Sequence, residues 1–391
     1  MKKSGGMLAA FLAIAMAGSV GAEPPAVVFV GEKDKARAVF VMSADGKVLS
    51  TPAIPADELS GALSLQGWIL VTAGRAGNGD ATLTLRDLRR EDARILGAFP
   101  KFGDVFVSAS CDNAALIGTW NSPAVAVVPL DRKGAPAAVW TAERGRLSVP
   151  PAAWCGSKTL AFLVTAMEPG GAQLRVSRDG QAGVVVEEKG VLPWLPSDPS
   201  GKRVAYLRRT DKSFEVCILD PVSLKSTVIK AMPAETAVSD FDWMPDGSRL
   251  TLSTNDGVVL LAPDGAEKVL LGAAGAPCGG LAWSPDGSRL WLSSPGKGDE
   301  ILAWILTVEG AKRHALGGVG ISGDGRPPVR RARWSPDGAF VAFERDYAAK
   351  DPMPGLSRRG GSEIFMIAAD GTRETKLREG DSRLLGWLNR E

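Results

Sequence analysis

Trp283-Ser284-Pro285-Asp286-Gly287 is followed closely by an apolar run, Leu290 to Ser293, with the composition of a β-strand. Ser-Pro-Asp-Gly suits a type I turn, which favours Ser or Asp first, Pro second and Gly fourth. Nearly the same sequence recurs at Trp243-Met244-Pro245-Asp246-Gly247 and at Trp334-Ser335-Pro336-Asp337-Gly338. Each copy therefore predicts two antiparallel strands joined by a tight turn.

The spacing of the copies indicates one repeated unit. They begin about 40 and about 50 residues apart, and units of that length with four short strands are typical of a β-propeller. Weaker copies begin at Trp154 and at Trp194-Leu195-Pro196-Ser197-Asp198-Pro199. The predicted fold class is all-β, a propeller of four-stranded antiparallel blades. A second turn is predicted between the third and fourth strands, at Asp45-Gly46, Asp179-Gly180, Asp264-Gly265 and Asp370-Gly371.

The number of blades follows from counting these units along the chain. The first strands after the signal region supply three strands of a blade but no inner strand, and Arg383 to Leu388 has the apolar-then-Trp form of one. We therefore expect eight blades, with the C-terminal strand completing the N-terminal blade and closing the ring. Seven blades remain the alternative, because Gly61 to Trp140 lacks Pro-Asp-Gly turns. Tryptophans are expected to pack between blades at positions 154, 194, 243, 283, 334 and 387.

The N-terminus has the pattern of a secretory signal peptide. Lys2 and Lys3 precede an apolar run, Met7 to Ala17, and small residues end at Ala22. Residues 1–22 are thus predicted to be removed, leaving 23–391 as a single propeller domain. We expect a secreted or periplasmic protein without a membrane span, since the apolar run is too short to cross a bilayer.

The charge and the cysteines of the sequence bear on the class of partner and on disulfide formation. The formal net charge is +2 with both signs interspersed, which does not favour nucleic acid as a partner. Cys111 and Cys155 follow inner strands of neighbouring repeats, so a disulfide between adjacent blades is one expectation and two buried thiols are the alternative. Cys217 and Cys278 are expected to be unpaired core residues.

The Trp-Ser-Pro-Asp-Gly repeats resemble the PD40 (WD40-like) repeats of TolB-type propellers. That family is found in bacterial envelope proteins and in the propeller domains of prolyl-oligopeptidase-like peptidases. The resemblance implies the propeller fold and an interaction or scaffold role in the cell envelope. It is partial, because the α/β domain that precedes the TolB propeller has no counterpart in this sequence, and the TolB partner contacts cannot be carried over.

Few residues in the sequence suggest catalysis. His314 is the single histidine, so no site needing two or three imidazoles can be built. There is no Gly-x-Ser-x-Gly elbow and no Walker loop. We therefore expect no enzymatic activity, no cofactor and no bound transition metal, while calcium held by oxygen ligands stays open. The alternatives are a carbohydrate- or small-ligand-binding propeller, and a divalent-cation-dependent enzyme that uses carboxylates of the central channel.

The expected binding surface is the face opposite the Pro-Asp-Gly turns. Its longest loop is predicted from Arg345 to Gly361, and Gly317 to Pro328 joins the preceding blade on the same face. Arg and Tyr are frequent in protein interfaces. We expect a monomer that binds an envelope protein there, with Arg249 and Arg289 on the opposite face uninvolved. The candidate binding residues are Arg345, Tyr347, Lys350, Arg358, Arg359, Arg330 and Arg331, with Arg333 close behind.

Overall fold

The computed structural model contains antiparallel β-strands as its regular elements. No helix within the described part of the chain has the length and apolarity needed to cross a membrane. The structure describes residues 23–33, 36–52, 58–63, 68–75, 81–90, 92–99, 102–108, 110–118, 124–130, 137–141, 146–166, 172–272, 278–295, 297, 300–309, 312–321, 332–348, 359–380 and 382–390.

The strands form six four-stranded sheets and one seven-stranded sheet, described below as units 1 to 8. Unit 1 contains β1 (Glu23–Lys33), β2 (Ala36–Ser43), β3 (Val48–Ser50) and β31 (Arg383–Arg390). Unit 2 contains β4 (Glu58–Leu63), β5 (Ile69–Arg75), β6 (Ala81–Asp87) and β7 (Asp92–Phe99). Unit 3 contains β8 (Phe102–Val107), β9 (Asn113–Gly118), β10 (Ala124–Pro129) and β11 (Ala137–Thr141).

The seven-stranded sheet comprises units 4 and 5. Unit 4 contains β12 (Arg146–Cys155), β13 (Thr159–Ala166), β14 (Ala172–Arg178) and β15 (Val184–Val191). Unit 5 contains β16 (Val204–Arg209), β17 (Ser213–Asp220) and β18 (Lys225–Pro233). The remaining three sheets follow in chain order. Unit 6 contains β19 (Val238–Trp243), β20 (Leu250–Thr254), β21 (Gly257–Leu261) and β22 (Glu267–Leu271); unit 7 contains β23 (Gly279–Trp283), β24 (Arg289–Pro295), β25 (Glu300–Thr307) and β26 (Lys312–Ile321); unit 8 contains β27 (Ala332–Trp334), β28 (Phe340–Ala348), β29 (Arg359–Ala368) and β30 (Thr375–Arg378).

Units 4 and 5 are joined by a continuous extended segment. β15 pairs with β16 through Val191 and Arg208. The residues that follow β15 then run alongside β16. The amide of Leu192 donates to the carbonyl of Leu207 at 2.9 Å, and Ser197 pairs with Val204. Residues 192–198 therefore occupy, in unit 5, the place that β12 occupies in unit 4 and β19 in unit 6.

The tight turns lie where the repeats predict them. The glycines that end them have φ between 67° and 69° at Gly247, Gly287 and Gly338, a region that strains residues with a side chain. The weaker copy at Trp194 differs from the expected alignment. Its turn is Asp198-Pro199-Ser200-Gly201, where the amide of Gly201 donates to the carbonyl of Asp198 at 2.8 Å. The first turn residue is thus Asp198, and Ser197 takes the place of the repeat tryptophan.

The core lies between the units. Each of the eight apolar clusters formed by described residues combines side chains of two successive units. Along each strand, alternate residues face opposite neighbours, so a strand with both faces covered is apolar almost throughout. Unit 1 is packed on both sides: Phe29 and Trp387 belong to the cluster with unit 8, whereas Val28 and Leu388 belong to the cluster with unit 2.

In five units the repeat tryptophan connects its unit to the one before it. Four indole N–H groups donate to a backbone carbonyl on the first strand of the preceding unit: Trp154 to Phe106 (3.0 Å), Trp243 to Pro196 (3.2 Å), Trp334 to Ala282 (2.9 Å) and Trp387 to Arg333 (2.8 Å). Trp283 differs, because its indole donates to the hydroxyl oxygen of Thr251 at 2.8 Å. Each of these contacts satisfies a polar group of an otherwise buried ring.

Arginines connect the turns of successive units. The guanidinium of Arg203 donates to the carbonyl of Gly247 at 2.6 Å and stacks on Trp243, with 4.5 Å to the ring centroid. Arg289 repeats the arrangement one turn further on, donating to Gly338 at 3.0 Å and stacking on Trp334. Arg289 is thus part of the contact between two units, and it is unsuitable as the neutral control that the sequence suggested.

The C-terminal strand is a member of the N-terminal sheet. β31 pairs antiparallel with β1, with Trp387 opposite Val27 and Leu384 opposite Phe29. The amide of Leu384 also donates to the carboxylate of Glu344 on β28 at 2.8 Å. β31 contacts both β27 of unit 8 and β4 of unit 2. The first strand of unit 1 therefore comes from the end of the chain.

No disulfide joins Cys111 and Cys155, which was one of the two arrangements that the sequence left open for them. Cys155 is a buried thiol, and burial raises its pKa to about 12. It packs in the cluster between units 4 and 5, whereas its neighbour Trp154 faces unit 3, where Cys111 lies. Alternation along β12 therefore directs the Cys155 side chain away from Cys111. Cys217 is likewise a buried thiol of the same cluster, as expected.

Candidate functional site

Both ends of the predicted binding loop are β-strand. β28 and β29 remain paired from Phe340 opposite Ala368 to Ala348 opposite Arg359, so strand extends well into the expected loop. Tyr347 lies in β28 opposite Gly361. Lys350, Arg358, Arg330 and Arg331 lie outside the described residues.

Arg345 is engaged within its own sheet. Its guanidinium forms two parallel hydrogen bonds to the carboxylate of Glu374, at 2.9 and 2.8 Å, and lies over the ring of Phe365 at 4.0 Å. Such bidentate pairing stacked on an aromatic ring fixes the orientation of an arginine. In this structure Arg345 supports the hairpin from one side, so the partner contact expected of it would require breaking this ion pair.

A different set of residues emerges from the register of the first strands. In every unit one residue directly precedes the repeat tryptophan, or the residue in its place, and lies opposite a residue of the neighbouring strand in its sheet. We call these the pre-tryptophan positions. Six of them hold small or apolar residues, and two hold charges. In order of units they are Gly386, Ala62, Phe106, Ala153, Pro196, Asp242, Ala282 and Arg333.

Asp242 is enclosed by protein yet keeps contact with solvent. It is partly buried on β19, and one carboxylate oxygen, Oδ1, accepts the amide of Trp243 at 2.8 Å. Burial raises the pKa of Asp242 to about 6, against the opposing effects of that hydrogen bond and of the Arg333 charge. Asp242 can therefore gain or lose a proton close to neutral pH.

Asp240 is held more firmly on the same face of β19. Its carboxylate accepts the amide of Leu281 in unit 7 at 2.9 Å, and the backbone of Phe241 and Gly280 also hydrogen-bonds to it. Burial nevertheless raises the pKa of Asp240. Because its oxygens accept several backbone amides from two units, Asp240 serves to fix β19 against β23.

The interface around these carboxylates is polar. Thr251 and Ser253 of β20 are fully buried, and the Ser253 hydroxyl donates to the carbonyl of Cys278 at 2.6 Å. In the other units the residue opposite the pre-tryptophan position, which is Thr251 here, is alanine, valine or tryptophan. We call the group of Asp240, Asp242, Thr251 and Ser253 the polar seam between units 6 and 7.

Arg333 places a positive charge close to the polar seam. It lies on β27, two units after Asp242, and its side chain is exposed although β27 is the first strand of its sheet. Its Nη1 donates to the carbonyl of Ala332 at 3.1 Å, and its charge acts on Asp242. The polar seam and Arg333 together can bind hydrogen-bond donors and cations on one side and acceptors or anions on the other.

A stability measurement can test the electrostatics of Asp242. A folded-state pKa of about 6 against a usual 3.8 means that the folded protein holds this proton more tightly than the unfolded chain. Between these values stability should therefore fall as pH rises. Asp242→Asn should stabilise the protein at pH 7.5 by about 1–2 kcal/mol, after allowing for solvent screening of a partly buried group, and by little at pH 4. Urea unfolding at both pH values checks this, and equal stability at pH 7.5 would contradict it.

Comparisons with known proteins support the fold. No family model matches the chain, and no curated protein matches its sequence. Among solved structures, oligogalacturonate lyase in complex with manganese gives a TM-score of 0.52 at 14% identity, over 91% of this chain and 85% of that one. A eukaryotic initiation factor gives 0.57 at 13% identity, over 92% and 88%. Dipeptidyl peptidase 4 of Porphyromonas gingivalis gives 0.63 at 13% identity, over 93% and 59%.

These comparisons define a β-propeller fold of antiparallel four-stranded sheets, and identities this low show the fold alone. They also correct one expectation. The sequence suggested a protein without enzymatic activity, whereas a lyase shares the fold over most of both chains. Because enzymes occur with this fold, the lack of familiar catalytic motifs in the sequence does not exclude enzymatic activity.

Proposed function

We propose that this chain is a secreted or periplasmic β-propeller of eight blades that binds a polar ligand beside its axis. The observation that carries the proposal is the pattern of the pre-tryptophan positions. Asp242 and Arg333 are the two charged members of that series, and both keep contact with solvent on the first strands of their sheets. Charged groups placed where equivalent positions are small or apolar fit a binding site better than a packing role.

Eight blades in a closed ring are supported by the contacts of unit 1. Apolar clusters join unit 1 to unit 2 on one face and to unit 8 on the other, and β31 lies between β27 and β4. In such a ring the first strands line the axis, which would bring the side chains of Asp242 and Arg333 toward a shared channel. Residues 1–22 would be the signal peptide, and 23–391 would form the single domain as a monomer.

A transition-metal site like that of the manganese-bound lyase is not part of this proposal. Within the residues described, no three His, Cys, Asp or Glu side chains are grouped as metal ligands. The sequence also holds a single histidine. The donor set therefore fits neither an imidazole-rich centre nor a cage of several carboxylates at the polar seam.

An envelope protein partner is a second proposal, supported by the β28–β29 hairpin. Its strands span Phe340–Ala348 and Arg359–Ala368, longer than the five-residue β20 and β21 of unit 6. The Arg345–Glu374 pair braces it. The segment 349–358 between these strands would be presented on the face opposite the Pro-Asp-Gly turns, and Tyr347, Lys350, Arg358 and Arg359 would contact the partner.

A thermal-shift screen tests ligand binding beside the axis. Sugars, sugar acids, amino acids and polyamines would be added at millimolar concentration to the mature chain. At least one class should raise the melting temperature of the wild type, because a ligand that binds only the folded state stabilises it. Asp242→Asn or Arg333→Gln should remove that shift, and Asp211→Asn, at an exposed turn of unit 5, should keep it. A shift that survives both substitutions would refute the site.

A further inference from the structure

We infer that the ligand of this site is dipolar, carrying a cationic group for Asp242 and an anionic group for Arg333. The inference rests on the proposed function and specifies the ligand class. The two charges have opposite sign and lie on β19 and β27, on either side of β23. The pre-tryptophan residue of β23 is Ala282, whose side chain is a single methyl group.

The two carboxylates of the polar seam differ in how many hydrogen bonds they accept. Asp240 is occupied by backbone amides of two units, including Leu281 at 2.9 Å. Asp242 accepts one amide, that of Trp243, through Oδ1. Its Oδ2 makes no hydrogen bond to any residue that the structure describes. Of the two, Asp242 is therefore the group with an oxygen left for a ligand.

The indole contact of unit 7 also differs at this point. In four other units the tryptophan N–H donates to the carbonyl of a pre-tryptophan residue. At the junction of units 6 and 7, Trp283 donates instead to Thr251 on the neighbouring strand. The backbone of Asp242 thus lies outside the contact that these four units share, and its side chain lies in the polar seam.

A ligand that carries only positive or only negative charge is repelled by one of the two residues. A cation attracted to Asp242 would be repelled by Arg333, and an anion attracted to Arg333 would be repelled by Asp242. A ligand with both charges gains both attractions, because complementary charge patterns favour partners of matching pattern. An amino acid or another amino-carboxylate of suitable length has this chemistry.

Calorimetric titration at pH 8 tests the inference, with 4-aminobutyrate and 6-aminohexanoate as dipolar probes and putrescine and glutarate as probes of one sign. The wild type should bind a dipolar probe at least tenfold more tightly than either single-sign probe. Asp242→Asn and Arg333→Gln should each weaken dipolar binding at least tenfold. Asp242→Arg combined with Arg333→Asp should restore much of it, since the dipolar probe can bind in the reversed orientation.

Each result that would overturn the dipolar ligand class can be recognised from the probe that binds most tightly. Tightest binding of putrescine, strengthened by Arg333→Gln, would make this a cation site and overturn the dipolar class. Tightest binding of glutarate, strengthened by Asp242→Asn, would make it an anion site. If the double variant does not fold, the two conservative variants decide the question alone. Binding of an uncharged sugar that depends on Asp242 would overturn the dipolar class while leaving ligand binding beside the axis intact.

Discussion

Removal of residues 382–391 is expected to prevent folding or to lower the free energy of unfolding by more than about 5 kcal/mol, a large part of the stability of a typical domain. The deletion removes the buried side chains of Leu384, Trp387 and Leu388. Losing a large buried side chain costs about 2–5 kcal/mol each. It also leaves an edge of β1 unpaired, which favours aggregation.

Two controls accompany the truncation. A chain that ends at Leu388 keeps the three buried side chains and should melt close to the wild type. A synthetic peptide of residues 382–391, added to the truncated chain, should recover folding, because the vacated edge and both apolar faces would accept it. Circular dichroism on heating measures both. If the truncated chain melts at the wild-type temperature, the last strand does not complete the first sheet.

Arg203→Met should lower the free energy of unfolding by about 3 kcal/mol at pH 7. Arg203 pairs with the buried carboxylate of Asp198 at 2.9 Å, and it also binds Gly247 and stacks on Trp243. Burial alone would raise the pKa of Asp198, but hydrogen bonds, chiefly from Arg203, outweigh it and hold the pKa below its usual range. Without the guanidinium, the buried carboxylate would keep its hydrogen bonds to the Ser200 hydroxyl and to the amides of residues 202 and 203, but it would lose its charged partner.

The repeat provides a matched control for this prediction. Arg289 makes the same contacts to the next turn, but the residue in the place of Asp198 is Ser284. Arg289→Met should therefore cost about 1 kcal/mol, the value of a hydrogen bond and a stacked ring. Asp198→Ser should rescue much of the loss in Arg203→Met. A carboxylate whose pKa is lowered on folding stabilises the folded protein at pH values above its pKa in the unfolded chain. The difference in unfolding free energy between Arg203→Met and wild type should therefore shrink as pH falls through the pKa of Asp198. Equal costs at both arginines would contradict this account.

Sequence reasoning predicted the local features of the fold well. The turns at Gly247, Gly287 and Gly338 depend on four adjacent residues, so their motif can be read directly. The turn at Asp198 was misaligned because Asp replaces Ser as its first residue and three extra residues separate it from Trp194. A local motif with one exchanged residue and a changed spacing is easily assigned to the wrong position.

The candidate site depended on contacts between distant residues and was largely missed. Arg345 was assigned to a loop because its partner Glu374 is 29 residues further along the chain, and the sequence does not show that the two meet. Asp242 was not singled out, and Arg333 was grouped with the loop before it. The sequence did hold a signal, since a charge directly before a repeat tryptophan contrasts with Ala153 and Ala282 at equivalent positions. Recognising it required the strand register that shows these positions to be equivalent.

The most direct test of a ligand site beside the axis is an experimental structure of the mature chain with the compound that most raises its melting temperature. Ligand density is expected in contact with Asp242 and Arg333, between the first strands of units 6, 7 and 8. Density against the segment 349–358 instead, with the polar seam filled by water alone, would contradict the axial site and favour the hairpin as the binding surface.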